Sequence, residues 1–292
     1  MNIVITGSLG HIGRPLTQFL IDAGHQVTVV SSNKERAEEI YDLGAHPAIG
    51  SLDDLDFLTA TLRGKDALFA MVPPNFSEKS VVDYYERIAK KYAAAIAASS
   101  VKRVVYLSSY GAHLSKDTGF ILGAHYAENI LKDIENVEIT FLRAGYFYYN
   151  LFGQIDVIKH QGMMAANYGG ADKIPLVAPE DIAEAAADEL QKTQAEAIRY
   201  VVSDEKTASE VATVLGKAID KPQLEWKTLT NEEMRQGLSY AFPAHIVEDF
   251  VVLGASLHNG RLMEDYVAKG NKPTGKVKLE HFAEKFSQVY NK

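Results

Sequence analysis

The chain has 292 residues, 47% hydrophobic and 23% charged, which suits an ordinary globular protein with one large core and an added lobe. Thirty Lys and Arg against 38 Asp and Glu give a net charge of −8, a poor footprint for nucleic acid, whose binding needs a cationic face. The absence of cysteine excludes disulfides, thiolate catalysis and cysteine-ligated zinc.

The chain opens on "MNIVITG", a strand rather than a basic and then apolar leader, and no apolar run is long enough to span a bilayer. The expectation is a soluble, cytoplasmic protein without membrane contact.

In chain order, short β-branched or aromatic runs predict strands at 2–6, 26–30, 67–72, 103–108 and 138–143, with a weaker one at 46–50. Between them, apolar residues at helical period predict helices over 14–23, 34–43, 55–62, 80–98 and 124–134. Strands that are apolar throughout and alternate with helices argue for an α/β fold, a doubly wound parallel sheet covered on both faces. "VAPEDIAEAAADELQK" predicts a further helix, with Pro179 and two acids in its first turn. "IRYVVS" predicts one more strand.

After residue 203 helical pieces dominate, at 207–219, 231–242, 244–258 and 279–290, with "QLEWKTL" as a lone strand. The division this suggests is a nucleotide-binding domain over 1–202 and a smaller, mostly helical substrate lobe over 203–292. Residues 148–174 are expected to join the same cleft, near the carboxyl ends of the strands where ligands of open α/β sheets bind.

"ITGSLGHIGRPL" sets Gly7, Gly10 and Gly13 directly after a strand and at the start of a helix. Gly7 suits a sharp turn, Gly10 lets the backbone approach a diphosphate, and Gly13 lets helix and strand pack closely. Together with Ser8, Leu9, His11 and Ile12 these residues form the predicted phosphate cradle of a dinucleotide. The end of the second strand decides which dinucleotide. An NAD site needs an acid there for the ribose 2′-OH, whereas this chain offers Ser31, Ser32, Asn33 and Lys34, then Arg36. NADP(H) is therefore expected in preference to NAD(H). Lys34 and Arg36 fit either a 2′-phosphate contact or the solvated face of the next helix.

Seven segments, "ITGSLGHIG", "SSNKERAEEI", "MVPPNF", "SVKRVVYLSSYGA", "AENILK" ahead of "ITFLRAGYFYYNLF", and "VAPEDIAEAAADEL", occur in an order that resembles the NmrA-like family of atypical short-chain dehydrogenase/reductases. The similarity covers about residues 1–260 and leans towards its NADPH:quinone oxidoreductase and triphenylmethane-reductase-like branch. It implies a Rossmann-type domain that binds NADP(H), walled by Met71, Val72, Pro73 and Pro74. It also implies Ser108 and Ser109 beside the nicotinamide ribose, and Ala144, Gly145, Tyr146 and Phe147 over the nicotinamide end. Many such proteins end the second strand in an arginine; the matching position here is Ser32.

Typical short-chain reductases place a catalytic Tyr and Lys four residues apart on one helix face. Here Tyr126 is followed at that spacing by Ile130, and the next Lys is Lys132, about 120° away around a regular helix. Weak catalytic candidates are Tyr126, Asn129 and His125, and Tyr110, Tyr126 and Tyr148 are candidates for a flat substrate platform. No metal site is expected, since no His pair has ligand spacing with a nearby carboxylate.

Three functions remain open. The first is an NADPH-dependent reductase of quinone-like or other flat electrophiles, whose small-molecule acceptors need no positioned acid. The second is a non-catalytic NADP(H)-responsive regulator acting through a protein partner. The third is a nucleotide-sugar epimerase, which "YAENI" supports least. A homodimer fits any of them.

Overall fold

A computed structural model describes residues 1–292. The first elements are β1 (Asn2–Ile5), α1 (Gly13–Asp22), β2 (Gln26–Ser31), α2 (Arg36–Asp42), β3 (His46–Ile49), α3 (Leu55–Leu62), β4 (Ala67–Ala70) and α4 (Val81–Ala97). Then come β5 (Arg103–Ser109), α5 (Ile121–Leu131), β6 (Glu138–Ala144), β7 (Tyr146–Phe147), α6 (Ile155–Gln161), β8 (Met164–Ala166), β9 (Lys173–Val177) and α7 (Pro179–Gln191). The chain ends with β10 (Ile198–Val201), β11 (Asp204–Thr207), α8 (Ala208–Ala218), β12 (Trp226–Thr228), α9 (Asn231–Leu238), α10 (Ala244–His258), α11 (Glu264–Ala268) and α12 (Leu279–Tyr290).

Seven strands form one sheet in the order β10-β6-β5-β4-β1-β2-β3. The pairs β2–β3, β1–β2, β1–β4 and β4–β5 all run parallel. β1, β2 and β3 step outwards in one direction, and β4 then returns to the other side of β1. The order thus reverses between β1 and β4, and the crevice outside the carboxyl ends of strands at such a switch is where ligands of this architecture bind. The segments leaving those two ends are residues 6–12 and 71–74.

The chain divides into two compact units whose limits differ from the 202/203 division read from the helical pieces. The first holds Met1–Ser109, Gly123–Arg143 and Ile182–Arg199; the second holds Tyr110–Leu122, Ala144–Asp181 and Tyr200–Lys292. In the first unit, sheet residues such as Val4, Leu68 and Val104 pack with Ile88, Tyr92 and Ile96 of α4 in one continuous core. A buried charge network ties β5, β6 and β10 to α7: Arg103 donates to Glu189 (3.0 Å) and to Thr140 Oγ1 (2.7 Å), and Arg199 also reaches Glu189 (2.9 Å).

The second unit is less helical than expected. β7 pairs parallel with β9, and β11 pairs antiparallel with β9. The strand read in "QLEWKTL" is confined to Trp226–Thr228 and is not alone, since it pairs with β8. Asp181, expected only as a helix-start acid, is buried. It accepts from Ser203 Oγ (2.5 Å) and from the N–H groups of Lys276 (2.9 Å) and Val277 (3.1 Å), so it pins a late loop as well as opening α7. No helix of the chain is long and apolar enough to cross a membrane.

Other limits moved by a few residues. α5 starts and ends three residues before the expected 124–134, because a turn at Thr118 and Gly119 starts it early: their carbonyls accept from Ile121 and Leu122. α2 begins at Arg36, which leaves Lys34 in the preceding turn.

Candidate functional site

Gly7 has φ +95°, and a side chain there would also run into Met71 Sδ at 2.6 Å. At Gly13 a Cβ would lie 2.0 Å from the Ser8 carbonyl oxygen, so only glycine lets α1 start this close to the end of β1. The loop between them is fixed from both sides. Ser8 N–H donates to Val30 O (3.0 Å) and its hydroxyl to Ser31 Oγ (3.0 Å). The N–H groups of Leu9, Gly10 and Ile12 carry no bond to the protein, whereas Arg14 N–H is held by Gly10 O. Unsatisfied N–H groups at the positive end of a ten-residue helix suit the oxygens of a diphosphate.

The wall beside the loop is equally well held. Thr6 Oγ1 accepts from Met71 N–H (3.0 Å), and the Tyr92 hydroxyl lies within reach of Thr6 Oγ1 (2.8 Å) and of Met71 O (2.9 Å). Tyr92 is fully buried, which pushes its phenol pKa up. Val72 is buried; Pro73 and Pro74 are exposed. Thr6 and Tyr92 were not singled out from the sequence. The signal was available in the lone hydroxyl ending an apolar strand and a tyrosine on the apolar stripe of α4, both of which need partners.

At the end of β2, Ser31 is buried, accepts from Asn33 N–H (3.2 Å) and holds Ser8. It therefore stabilises the loop, while Ser32, Asn33 and Lys34 stand exposed beyond it. Arg36 is turned to Glu39, as is Arg14.

β5 ends in Ser108 and Ser109. Ser108 is buried and donates to Glu128 Oε1 (2.5 Å); Arg143 grips the same carboxylate as a fork, Nε to Oε1 (3.0 Å) and an NH to Oε2 (2.7 Å). This fixes the C-terminal half of α5 against β5 and β6. On the outer face of α5, Lys132 donates to Asn129 Oδ1 (2.6 Å), and Asn129 Nδ2 lies 2.9 Å from His125 Nε2. With its oxygen turned to Lys132, the amide presents N–H to the imidazole, whose Nε2 accepts. Lys132 is thus tied to Asn129 rather than to Tyr126, which is exposed and meets the His125 ring edge-on at 5.6 Å. No group of three or more His, Asp or Glu is arranged to hold a metal ion.

The profile of the NmrA-like family matches residues 1–285. The chain belongs to the NmrA-like family. Over 263 residues it is 24% identical to an uncharacterised protein of Schizosaccharomyces pombe, a match covering 82% of this chain and 87% of that one. Its fold is similar to that of an NADPH-dependent quinone oxidoreductase (QOR2) of Escherichia coli complexed with NADPH. That match has a TM-score of 0.81 at 21% identity and covers 99% and 100% of the two chains. It is also similar to the triphenylmethane reductase of Citrobacter sp. complexed with NADP(H), with a TM-score of 0.78 at 19% identity, covering 98% and 99%.

In this NmrA-like chain the remaining expected residues lie in the second unit. Tyr110 N–H donates to Ala144 O (2.9 Å), and Gly145 N–H to Val201 O (3.0 Å); a Cβ on Gly145 would meet Pro175 O at 2.2 Å. Tyr168 donates to the Tyr146 hydroxyl (3.4 Å), and burial raises the pKa of both phenols. Tyr110 is buried close to them, and its pKa is likewise raised by burial. Tyr148 is only 1% exposed, stacks on Phe282 at 5.3 Å and donates to Val277 O (3.1 Å). Its ring therefore packs the core of this unit instead of offering a face to an acceptor. Phe152 does the same against Phe282 and Phe286.

Proposed function

We propose that this chain binds NADP(H) on the loop of residues 7–13 and reduces quinone-like or other flat electrophilic acceptors. The observation that carries the reading is the fixed loop itself: glycines admitted by geometry at 7 and 13, and free N–H groups at 9, 10 and 12, beside a β2 end that lacks a carboxylate at 31–34. Bound NADPH supplies a hydride. The chain's residues hold the diphosphate on the α1 N-terminus, place Ser32, Asn33 and Lys34 at the adenosine ribose, and keep the end of β5 rigid through Ser108, Glu128 and Arg143. Such acceptors suit a chain without a Tyr and Lys four residues apart, because a reduced quinone is a stable anion that water can protonate. Alignment of donor and acceptor then supplies most of the rate. The names of the two reductases of similar fold agree with this reading.

The test follows the NADPH absorbance band with purified protein across a panel of quinones and triarylmethane dyes. Turnover above the uncatalysed background is expected. Tight nucleotide binding without turnover on any acceptor would overturn the reductase reading and favour a nucleotide-responsive regulator.

The cofactor preference has its own check. Ser32→Asp puts a carboxylate where a 2′-phosphate would lie and should lower the NADPH-over-NADH affinity ratio about tenfold to a hundredfold. Fluorescence titration of both nucleotides measures it; an unchanged ratio would place the 2′-phosphate elsewhere.

A further inference from the structure

We infer that Glu39 sets how strongly the chain prefers a 2′-phosphorylated nucleotide, by holding the two arginines that such a phosphate would otherwise engage. The inference rests on the nucleotide reading above. Arg14 lies in the first turn of α1, directly after the glycine loop, and Arg36 opens α2, directly after the turn that follows Ser32. Both guanidinium groups end on Glu39, Arg14 on Oε1 and Arg36 on Oε2. Each element that would face the adenosine ribose therefore sends one arginine to the same carboxylate.

The backbone beneath this clasp is fixed. Ser31 Oγ accepts from Asn33 N–H, Asn33 Oδ1 accepts from Glu35 N–H (2.9 Å), and Asn33 O accepts from Arg36 N–H (3.2 Å). The turn cannot slide Arg36 towards a ligand, so its guanidinium must swing. The ion pairs themselves are weak enough to exchange, since the three side chains are 36–47% exposed and solvated pairs contribute little.

The surroundings bar a phosphate from the clasp itself unless an arginine is exchanged. A shallow groove of about 410 Å³ beside the clasp is lined by Arg14, Glu35, Glu38, Glu39, Asp42 and Leu43. Four carboxylates against one arginine repel a dianion unless an arginine leaves Glu39 to meet it. Lys34, exposed and in no ion pair, is the one cation of this turn that needs no release. Wild-type discrimination between 2′-phosphate and 2′-hydroxyl is then the attraction of the cations less the cost of emptying Glu39.

The test titrates 2′,5′-ADP and 5′-AMP by calorimetry against wild type, Glu39→Gln and Glu38→Gln. Glu38 is exposed, in no ion pair, and loses the same charge on substitution, so it controls for the general field. Glu39→Gln is expected to tighten 2′,5′-ADP about threefold to tenfold and leave 5′-AMP unchanged, with less than about a twofold change for Glu38→Gln. Equal tightening in the two variants would reduce the effect to net charge and overturn the inference. Weaker 2′,5′-ADP binding in Glu39→Gln would overturn it too, by showing that Glu39 positions the arginines for the phosphate. If wild type binds neither probe, the nucleotide reading falls as well; if it binds both and Glu39→Gln changes nothing, only this inference falls. Thermal unfolding of each variant confirms that it is folded, which the exposure of these side chains favours.

Discussion

Gly13→Ala is expected to destabilise the protein by about 1–3 kcal/mol and to weaken NADPH binding at least about tenfold, whereas Gly10→Ala should lose the nucleotide and keep the fold. The difference follows from what an added methyl meets. At Gly13 it lies 2.0 Å from Ser8 O, and Ser8 cannot retreat, because its N–H is held by Val30 and its hydroxyl by Ser31. Ser8 itself already sits at φ +58°, an uncommon conformation for a non-glycine residue. At Gly10 the nearest atom to an added Cβ is Gly7 O at 3.4 Å, an ordinary contact. A methyl there strains nothing in the free protein and stands only in the way of a phosphate. Urea unfolding with calorimetric titration of NADPH separates the two outcomes. If Gly10→Ala binds NADPH as wild type does, the diphosphate is not held by this loop.

Glu128→Leu should cost about 3–5 kcal/mol, and the double variant Glu128→Leu with Arg143→Met should recover much of that loss. The side chains of Arg143 and Glu128 are 6% and 10% exposed, and the carboxylate also accepts from Ser108. Removing the acid alone strands a buried guanidinium and leaves the Ser108 hydroxyl without its acceptor. Removing both charges leaves an apolar contact of similar volume, and that exchange is often close to neutral. Denaturant unfolding of the wild type, Glu128→Leu, Arg143→Met and the double variant completes the cycle. A double variant no more stable than Glu128→Leu would mean that the pair does more than neutralise itself in the interior. NADPH affinity measured on the same variants reports how far the end of β5 depends on this clasp.

The first half of the fold was legible because its strands are short, mostly apolar runs set between segments of helical period. β1 and β2 fall within a residue or so of where "NIVIT" and "QVTVV" place them. The short strands of the second unit carry no such signal. β11 is "DEKT", four polar residues whose extended state comes from pairing with β9, and β9 contains Pro175. β7 is two residues long. Tertiary context, not local preference, makes these strands.

The site was legible in part for a similar reason. The glycine loop shows in the sequence because φ and close approach restrict which residue can stand there. The Glu128–Arg143 pair does not show, because Glu in a helix and Arg fifteen residues later each read as solvated charges. An arginine inside the apolar strand "ITFLRA" was the available hint, since a buried guanidinium requires an acid nearby. Ser31 misled for the opposite reason: a hydroxyl at a strand end suggests a ligand contact, yet it is buried on Ser8 and Asn33.

The two compact units are woven from alternating stretches of one chain, and this constrains how the protein emerges from the ribosome. The first unit receives its last piece, Ile182–Arg199, only after residues 110–122 and 144–181 of the second unit have been translated, and Glu189 on that piece is the acid that neutralises Arg103 at the start of β5. Until then the nascent sheet carries an uncompensated guanidinium at the start of β5. Residues 110–122 and 144–181 meanwhile wait for partners translated still later. The second unit cannot close before the C-terminal residues are made, and a fragment stopped at residue 202 would leave β9 and β8 without β11 and β12, exposing unpaired strand edges of the kind that drive aggregation.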